Sequence, residues 1–213
     1  MCGRFSLFPN EDLPIRYASS SDVQVQHRYN IAPGQKSVVV LKNDGATIMK
    51  DMKWGLPIGE RNVINLRKET LMQKKHFQGL FENQRCLIPV TGFYEWRPSK
   101  VGKIPFFFHI PDLRTFSLGG VWMQDQMGEQ EFAVITLPSQ PPVSQVHHRM
   151  PLFIDQAQEG EWLNGTAKQA MGLMDIQAQT TLRMHQVAPT VNDPINDGPQ
   201  LVQPVMRLEN WSR

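Results

Sequence analysis

The 213-residue chain has only two cysteines, Cys2 and Cys86, and no stretch of 18 consecutive apolar residues. Without such a stretch, the sequence predicts no helix that spans a membrane. The first residues, MCGRFSLFPNEDLP, also lack the charged-then-apolar pattern of a secretion signal. We therefore expect a cytoplasmic protein without membrane contact, in which both cysteines remain thiols.

Neither sign of charge dominates the sequence. Lys and Arg number 22 against 20 Asp and Glu, so the net charge is only +2. This balance is compatible with a polyanionic partner but does not require one. The six histidines are scattered apart from the His147–His148 doublet, and two adjacent side chains of an extended segment point to opposite faces. No Cys or His lies near them at metal-ligand spacing, so we expect neither a metal nor a cofactor.

The sequence also has no internal repeat, no low-complexity tract and no recognisable linker, so we expect residues 1–213 to form a single domain. Period-2 and β-branched patterns predict the strands KSVVVLK (36–42), ATIMKDMKW (46–54), CLIPVTGFYEW (86–96), PFFFHI (105–110), TFSLGGVW (115–122) and EFAVITL (131–137). We expect TLRMHQV (181–187) and QLVQPV (200–205) to be extended segments. Helical spacing predicts helices in ETLMQKKHFQGLF (69–81), DQAQEGEWLNG (155–165) and TAKQAMGLM (166–174).

The predicted strands outnumber the helices, and tight turns join most of them. NDG at 43–45, for example, predicts a hairpin between the first two strands. The pattern predicts an α+β fold built on antiparallel β-sheet.

The stretch MCGRF places a cysteine directly after the initiator methionine. If Met1 is removed, Cys2 carries a free α-amine and a thiol on adjacent carbons. Such a 1,2-aminothiol condenses with an aldehyde and closes a five-membered thiazolidine ring, which an internal cysteine cannot do. The alternative interpretation is that Cys2 is simply a small hydrophobic residue at an ordered terminus.

Three further stretches are rich in reactive or ligand-binding groups: NLRKET (65–70), GFYEW (92–96) and VHHRMP (146–151). Condensation with an aldehyde needs groups that accept and deliver protons, and Glu95 and His147 are the candidates. The Asn65 amide can hold an amine or a sugar oxygen through its two donors and one acceptor. Three arginines in these stretches and in MCGRF are suited to bind anions: Arg4, Arg67 and Arg149.

Each of these residues also has an ordinary structural interpretation. Glu95 could be an exposed strand residue paired with Arg97, and Asn65 and Arg67 could be neighbours on a surface strand. Cys86 precedes an apolar run and is expected to be an inert buried thiol.

MCGRF, RYNIAP (28–33), WGL (54–56), NLRKET, GFYEW and HHRMP (147–151) occur in this order in one protein family. By these motifs, which span residues 2–151, the chain resembles the SRAP family, the SOS response-associated peptidases. The resemblance implies an α+β domain whose antiparallel sheets form a barrel-like core, with a few peripheral helices and a positively charged DNA groove.

The resemblance also implies roles for particular residues. Cys2, after removal of Met1, is the crosslinking nucleophile, and Asn65 is the active-site amide. Glu95 contacts the amine and opens the sugar, and His147 shuttles protons; a register shift of one residue would assign this role to His148 instead. The resemblance places five residues on the DNA: Arg4, Pro33, Arg67, Thr136 and Arg149.

The implied function is processing of abasic sites in single-stranded DNA. The family crosslinks Cys2 to the ring-opened abasic sugar through a thiazolidine, with AP lyase side activity and N-terminal autoproteolysis, and shields the site during the DNA damage response. We expect a monomer, associated with the nucleoid in a bacterium. Two alternatives remain: a cysteine peptidase limited to processing its own N-terminus, and a non-covalent single-stranded DNA sensor. The short segment 57–64 leaves open the preference between single strands and junctions.

Overall fold

The computed structural model describes residues 2–21, 23–100, 102–125, 127–175 and 181–205. Met1, whose removal the sequence suggests, lies outside these ranges. The described part is an α+β structure with extensive antiparallel sheet and few helices, so the predicted fold class is confirmed. None of its helices is both long and apolar enough to cross a membrane.

The described residues form fifteen strands: β1 (Phe5–Leu7), β2 (Arg28–Ile31), β3 (Lys36–Asn43), β4 (Ala46–Trp54), β5 (Leu56–Ile58), β6 (Arg61–Val63), β7 (Asn65–Arg67), β8 (Arg85–Val90), β9 (Gly92–Ser99), β10 (Gly102–His109), β11 (Phe116–Gln124), β12 (Gln130–Pro138), β13 (Arg149–Pro151), β14 (Phe153–Ile154) and β15 (Arg183–Gln186). The α-helices of the same ranges are α1 (Leu13–Arg16), α2 (Lys68–Gln73), α3 (Lys75–Asn83), α4 (Glu159–Asn164) and α5 (Ala167–Asp175). Short 3-10 turns lie at Pro111–Leu113, Val143–Gln145, Gln156–Gln158, Pro189–Asn192 and Pro199–Val202.

The larger sheet closes on itself, which confirms the barrel-like core. Its strands run in the order β12, β4, β3, β8 and β11, and β11 pairs again with β12. Most of these pairings are antiparallel, whereas β12 pairs in parallel with β4 and β7. The β3 run Val38–Leu41 is buried throughout, as expected for a strand covered on both faces. The predicted hairpin is present, because Lys42 lies opposite Thr47 and Asn43 opposite Ala46.

The second sheet has five strands in the order β15, β10, β9, β1 and β2. The sequence predicts one strand over residues 86–96, but the structure divides it into β8 in the ring and β9 in the second sheet. Thr91 lies between them, and its backbone N–H donates to Ser6 O at 2.8 Å. Because the residues on both sides of Thr91 are apolar and buried, the pattern does not reveal the change of sheet.

The single helix predicted over residues 69–81 is wrong in one respect: the chain breaks at Lys74, where φ is −104° and ψ is 118°. The buried residues explain the break. Phe77, Leu80 and Phe81 share one helical face, but in an unbroken helix Leu71 would point about 120° away from Phe77. The break allows both Leu71 and Phe77 to reach the core, where each is buried.

The predicted extended segment 200–205 is also corrected, because Pro199–Val202 form a 3-10 turn. Leu201 and Val202 are buried in this turn, in a small apolar cluster beside the second sheet. Asn30 on β2 holds the preceding loop, since its Nδ2 donates to the carbonyls of Val191, Asp193 and Asn196. The C-terminal segment therefore packs against the sheet that carries β1 and β9.

Candidate active site

Cys2 is held at the junction of the two sheets. Strand β1 pairs with β9, with Phe5 opposite Phe93, and the Tyr94 N–H donates to Arg4 O at 2.9 Å. The chain before β1 thus runs along β9 towards Glu95, and Cys2 is fully buried. Burial raises the pKa of the Cys2 thiol, and the nearby Glu95 carboxyl raises it further. The sulfur is therefore a neutral thiol at pH 7 until a base takes its proton.

Asn65 reaches Cys2 from the other sheet. Strand β7 runs parallel to β12, with Val134 opposite Asn65, and the Asn65 Nδ2 donates to the Cys2 carbonyl at 2.7 Å. The Asn65 Oδ1 is buried and has no hydrogen-bond partner within the described residues. Because an unsatisfied buried acceptor is costly, this oxygen is suited to accept an N–H or O–H group next to Cys2.

Glu95 and His147 form an acid–base pair beside the same terminus. The distance between His147 Nδ1 and Glu95 Oε1 is 3.8 Å, and the Glu95 side chain is only 3% exposed. Burial raises the pKa of Glu95 and lowers the pKa of His147. Both shifts favour the neutral forms, a carboxylic acid that donates a proton and an imidazole that accepts one.

Backbone contacts fix the His147 ring. The Arg149 N–H donates to His147 Nδ1 at 3.0 Å, and the Arg149 carbonyl oxygen lies 3.1 Å from the same nitrogen. A neutral ring either accepts this N–H through Nδ1 and carries its proton on Nε2, or donates Nδ1–H to the carbonyl oxygen and leaves Nε2 unprotonated and able to accept a proton. His148 is exposed, and its ring lies 4.4 Å from that of His147. The structure thus brings His147, rather than His148, to Glu95.

An open cavity of about 400 Å³ adjoins these groups. Two sequence-predicted acid–base residues, Glu95 and His147, line it together with residues that the motifs left without a role: Trp96, Lys103 and Asn192. The Trp96 Nε1–H donates to Asn192 Oδ1 at 2.8 Å, which fixes the indole orientation. The described residues include no group of three or more His, Cys, Asp or Glu side chains that could hold a metal ion.

A family model described as SOS response associated peptidase (SRAP) matches residues 1–194. The chain belongs to the SRAP family. Among its relatives, abasic site processing protein YoqW of Bacillus subtilis (strain 168) is 28% identical over 223 residues, covering 95% of this chain and 99% of YoqW. Abasic site processing protein HMCES of Gallus gallus is 26% identical over 228 residues, covering 89% of this chain and 67% of HMCES. The named relatives of this SRAP protein are therefore abasic site processing proteins.

The solved structures support the fold. A crystal structure of a protein from Bacteroides thetaiotaomicron superposes with a TM-score of 0.81 at 22% identity and covers 96% of this chain and 100% of that one. The likeness shows that this SRAP chain shares the fold of that protein.

The five residues that the SRAP resemblance assigns to DNA lie in different surroundings. Pro33 and Arg67 are exposed. Thr136 is fully buried, and its Oγ1 lies 3.5 Å from Leu66 O. Arg4 is half-buried, and its Nη1 donates to Asn30 Oδ1 and Val191 O, each at 2.9 Å. Arg4 therefore ties β1 to the C-terminal segment, whatever else it binds.

Arg149 also uses several of its guanidinium N–H groups for contacts within the protein. Its guanidinium forms a bidentate pair with Glu69, with N–O distances of 2.9 and 3.1 Å, and its Nη2 donates to the Thr136 carbonyl. Glu69 belongs to the NLRKET motif, but the motif alone gives it no role. Only the long-range contact, across 80 residues, shows its partner.

Proposed function

We propose that this SRAP protein, once Met1 has been removed, crosslinks Cys2 to the ring-opened sugar of an abasic site in single-stranded DNA through a thiazolidine. The observation that carries the proposal is the hydrogen bond from Asn65 to the Cys2 carbonyl, since it fixes the terminus beside the Glu95–His147 pair. We further propose that the crosslink shields the site during the DNA damage response.

The reaction requires four steps, and each of them moves protons. The closed sugar must open to its aldehyde, and the Cys2 amine then adds to the carbonyl carbon to give a carbinolamine. Loss of one water forms the imine, and the thiol adds to the imine carbon while its proton passes to the nitrogen. The net change is one C–N bond and one C–S bond formed in place of the carbonyl C=O bond, and the oxygen leaves as one water with two protons, one from the thiol and one from the amine.

Glu95 and His147 fit these movements in complementary ways. Because burial raises the pKa of Glu95, the protonated carboxyl is favoured, and this form can assist opening of the sugar and loss of water. Because burial lowers the pKa of His147, its ring is neutral, and in the tautomer whose Nδ1–H donates to the Arg149 carbonyl oxygen, Nε2 can take protons from the amine and the thiol. The Asn65 Oδ1 can accept an N–H of the amine and aim its lone pair at the carbonyl carbon.

The thiol sets the outcome of the reaction. An imine alone hydrolyses or undergoes β-elimination, which cuts the strand, whereas an adjacent thiol closes the ring first because its effective concentration is very high. AP lyase activity is therefore a side reaction in this proposal. Autoproteolysis would be limited to removal of the N-terminal residue.

For DNA contact we propose Arg67 and Pro33 on the exposed side of the site, with Arg4 at its edge. Arg149 uses three N–H groups for Glu69 and Thr136 and retains one Nη1 N–H for a phosphate. Thr136 contributes indirectly, because its backbone carbonyl accepts a hydrogen bond from Arg149. We propose that the whole chain, residues 1–213, works as one monomeric domain without a cofactor, in the cytoplasm or on the nucleoid.

One experiment separates this proposal from a peptidase and from a non-covalent sensor. The protein is incubated with a single-stranded oligonucleotide containing one abasic site, then with high salt and detergent, and resolved on a denaturing gel; a fluorogenic peptide is tested in parallel. We expect a retained one-to-one species and no peptide turnover. A complex that salt dissociates would indicate a sensor, and peptide turnover without an adduct would indicate a peptidase.

Replacing Arg67 with glutamine should weaken initial binding of single-stranded DNA uniformly across sequences. Loss of one phosphate contact reduces the slope of log K against log salt by about 0.7 for single strands. Fluorescence anisotropy over a range of salt concentrations measures this slope. The control is Arg114→Gln, an exposed arginine beside a different cavity, which is lined by Glu11 and Asp155. Equal slopes for the two variants would remove Arg67 from the DNA interface.

A further inference from the structure

An ion pair involves Arg149, the residue whose backbone contacts the His147 ring. Both carboxylate oxygens of Glu69, on α2, accept hydrogen bonds from the Arg149 guanidinium. The Arg149 side chain is 9% exposed and the Glu69 side chain 48%. The hydrogen bond from Arg149 lowers the pKa of Glu69, so the Glu69 carboxylate is charged at neutral pH.

Arg149 is held from two elements at once. Its Nη2 donates to the backbone carbonyl of Thr136 on β12. Its Nη1 and Nη2 also donate to the carboxylate of Glu69 on α2. Its Nε is buried without a hydrogen-bond partner in the described structure. Hydrogen bonds from two elements fix the guanidinium in one orientation, because this group is planar and rigid.

The backbone of the same residue orients the imidazole. The Arg149 N–H and carbonyl oxygen both lie about 3 Å from His147 Nδ1, so a shift of Arg149 would turn or release the ring. The Ser139 Oγ–H donates to the His147 carbonyl at 2.7 Å and anchors the other side of the turn. Glu69 follows β7, which carries Asn65, so the ion pair also joins the segment of the active-site amide to the segment of the imidazole.

We propose that Glu69 is a positioning residue for the crosslinking reaction: it holds Arg149, and through the Arg149 backbone it fixes the His147 ring towards Glu95. This inference rests on the proposed function for its kinetic test but not for its structural test. Glu69 itself does not touch the reacting atoms.

Several charged or titratable groups surround the His147 ring from the elements packed against it: Glu95 on β9, Lys103 on β10, His148 beside it in sequence and Arg149 on β13. The charges of Lys103 and Arg149 both disfavour the imidazolium. Neutralising Glu69 leaves the Arg149 charge uncompensated, so protonation of His147 becomes harder. The pH at which the ring titrates should therefore fall.

The test compares Glu69→Gln with Glu161→Gln in the full chain. Glu161 is an exposed glutamate in the first turn of α4 and serves as the matched control. For Glu69→Gln we expect crosslinking of an abasic oligonucleotide to be about 10- to 100-fold slower, the same range as for loss of a hydrogen-bond partner that orients a metal-ligating residue. The pH–rate limb that reports His147 should move to lower pH, while Glu161→Gln should match the parent in both.

Imidazole NMR of the protein alone gives a second measurement, assigned with His147→Gln. The parent should show a neutral ring with one dominant tautomer, and Glu69→Gln should show a lower titration midpoint and a mixed tautomer population. Glu69→Asp retains the negative charge, but its shorter side chain cannot make the same contact with Arg149. If Glu69→Gln fails to fold, the aspartate variant should still crosslink more slowly, with little shift of the His147 titration midpoint.

Two results would overturn the inference. An unchanged His147 spectrum in a folded Glu69→Gln variant would show that Glu69 does not position the ring. Tighter DNA binding with an unchanged pH profile would show instead that Glu69 merely competes with phosphate for Arg149. If the parent itself forms no adduct, the proposed function fails, while the NMR comparison still decides the role of Glu69.

Discussion

Cys2→Ala should abolish the heat- and detergent-stable adduct with an abasic oligonucleotide, reducing its yield by about 100-fold or more. Alanine retains the α-amine, so an imine can still form, but no thiol is present to close the ring. The imine then hydrolyses or eliminates the 3′ phosphate. Denaturing gels should therefore show cleaved strand in place of the retained species.

Cys86→Ala is the matched control for this variant. Cys86 is the other thiol of the chain, is also fully buried, and has a pKa that burial likewise raises. It lies in β8, where its carbonyl accepts the Trp162 Nε1–H, so the substitution tests any general effect of removing a buried sulfur. If Cys2→Ala formed as much stable adduct as Cys86→Ala, the thiazolidine assignment would be wrong.

Glu95→Gln should slow crosslinking by about 10²- to 10⁴-fold, the usual contribution of a positioned general acid or base. Glutamine retains the shape and can hydrogen-bond, but it cannot deliver a proton for sugar opening or for loss of water from the carbinolamine. Single-turnover rates at saturating protein measure this effect without interference from binding.

The same variant should be more stable than the parent at neutral pH. Because burial raises the folded-state pKa of Glu95, the folded chain binds a proton that the unfolded chain has lost, beginning near the ordinary glutamate value of about 4.3. The free energy of unfolding of the parent therefore decreases as pH rises through the folded pKa. Glu95→Gln lacks this loss, so its Tm should exceed that of the parent at pH 7 and the difference should vanish below about pH 4.

Glu131→Gln provides the comparison. Glu131 is equally buried on β12 but pairs with Lys53 at 3.2 Å, away from the candidate site. It should retain the crosslinking rate and lose stability at neutral pH. Parallel behaviour of the two variants, in rate and in melting temperature, would contradict an acid–base role for Glu95.

Local patterns predicted the elements whose signals lie within a few residues. The 36–42 strand and its NDG hairpin are present because β-branched residues and the turn chemistry agree. The errors occur where a long-range contact decides. The break at Lys74 and the change of sheet at Thr91 both depend on what the neighbouring residues pack against.

The candidate site shows the same division. The motifs brought Cys2, Asn65, Glu95 and His147 into consideration, and the structure places them together. Side-chain contacts between residues that are distant in sequence could not be predicted from the motifs. They are the Trp96–Asn192 hydrogen bond, the hydrogen bonds from Asn30 to the 191–196 loop and the Glu69–Arg149 pair. The buried environment of Thr136 likewise follows only from the packing of β12 against β7.

The most direct measurement of the central claim is the intact mass of the purified protein before and after incubation with an oligonucleotide that contains one abasic site. We predict a starting mass that lacks Met1, followed by a single species equal to protein plus oligonucleotide minus one water. A chain that retains Met1, or one that lacks Met1 and gains no oligonucleotide mass, would contradict the account.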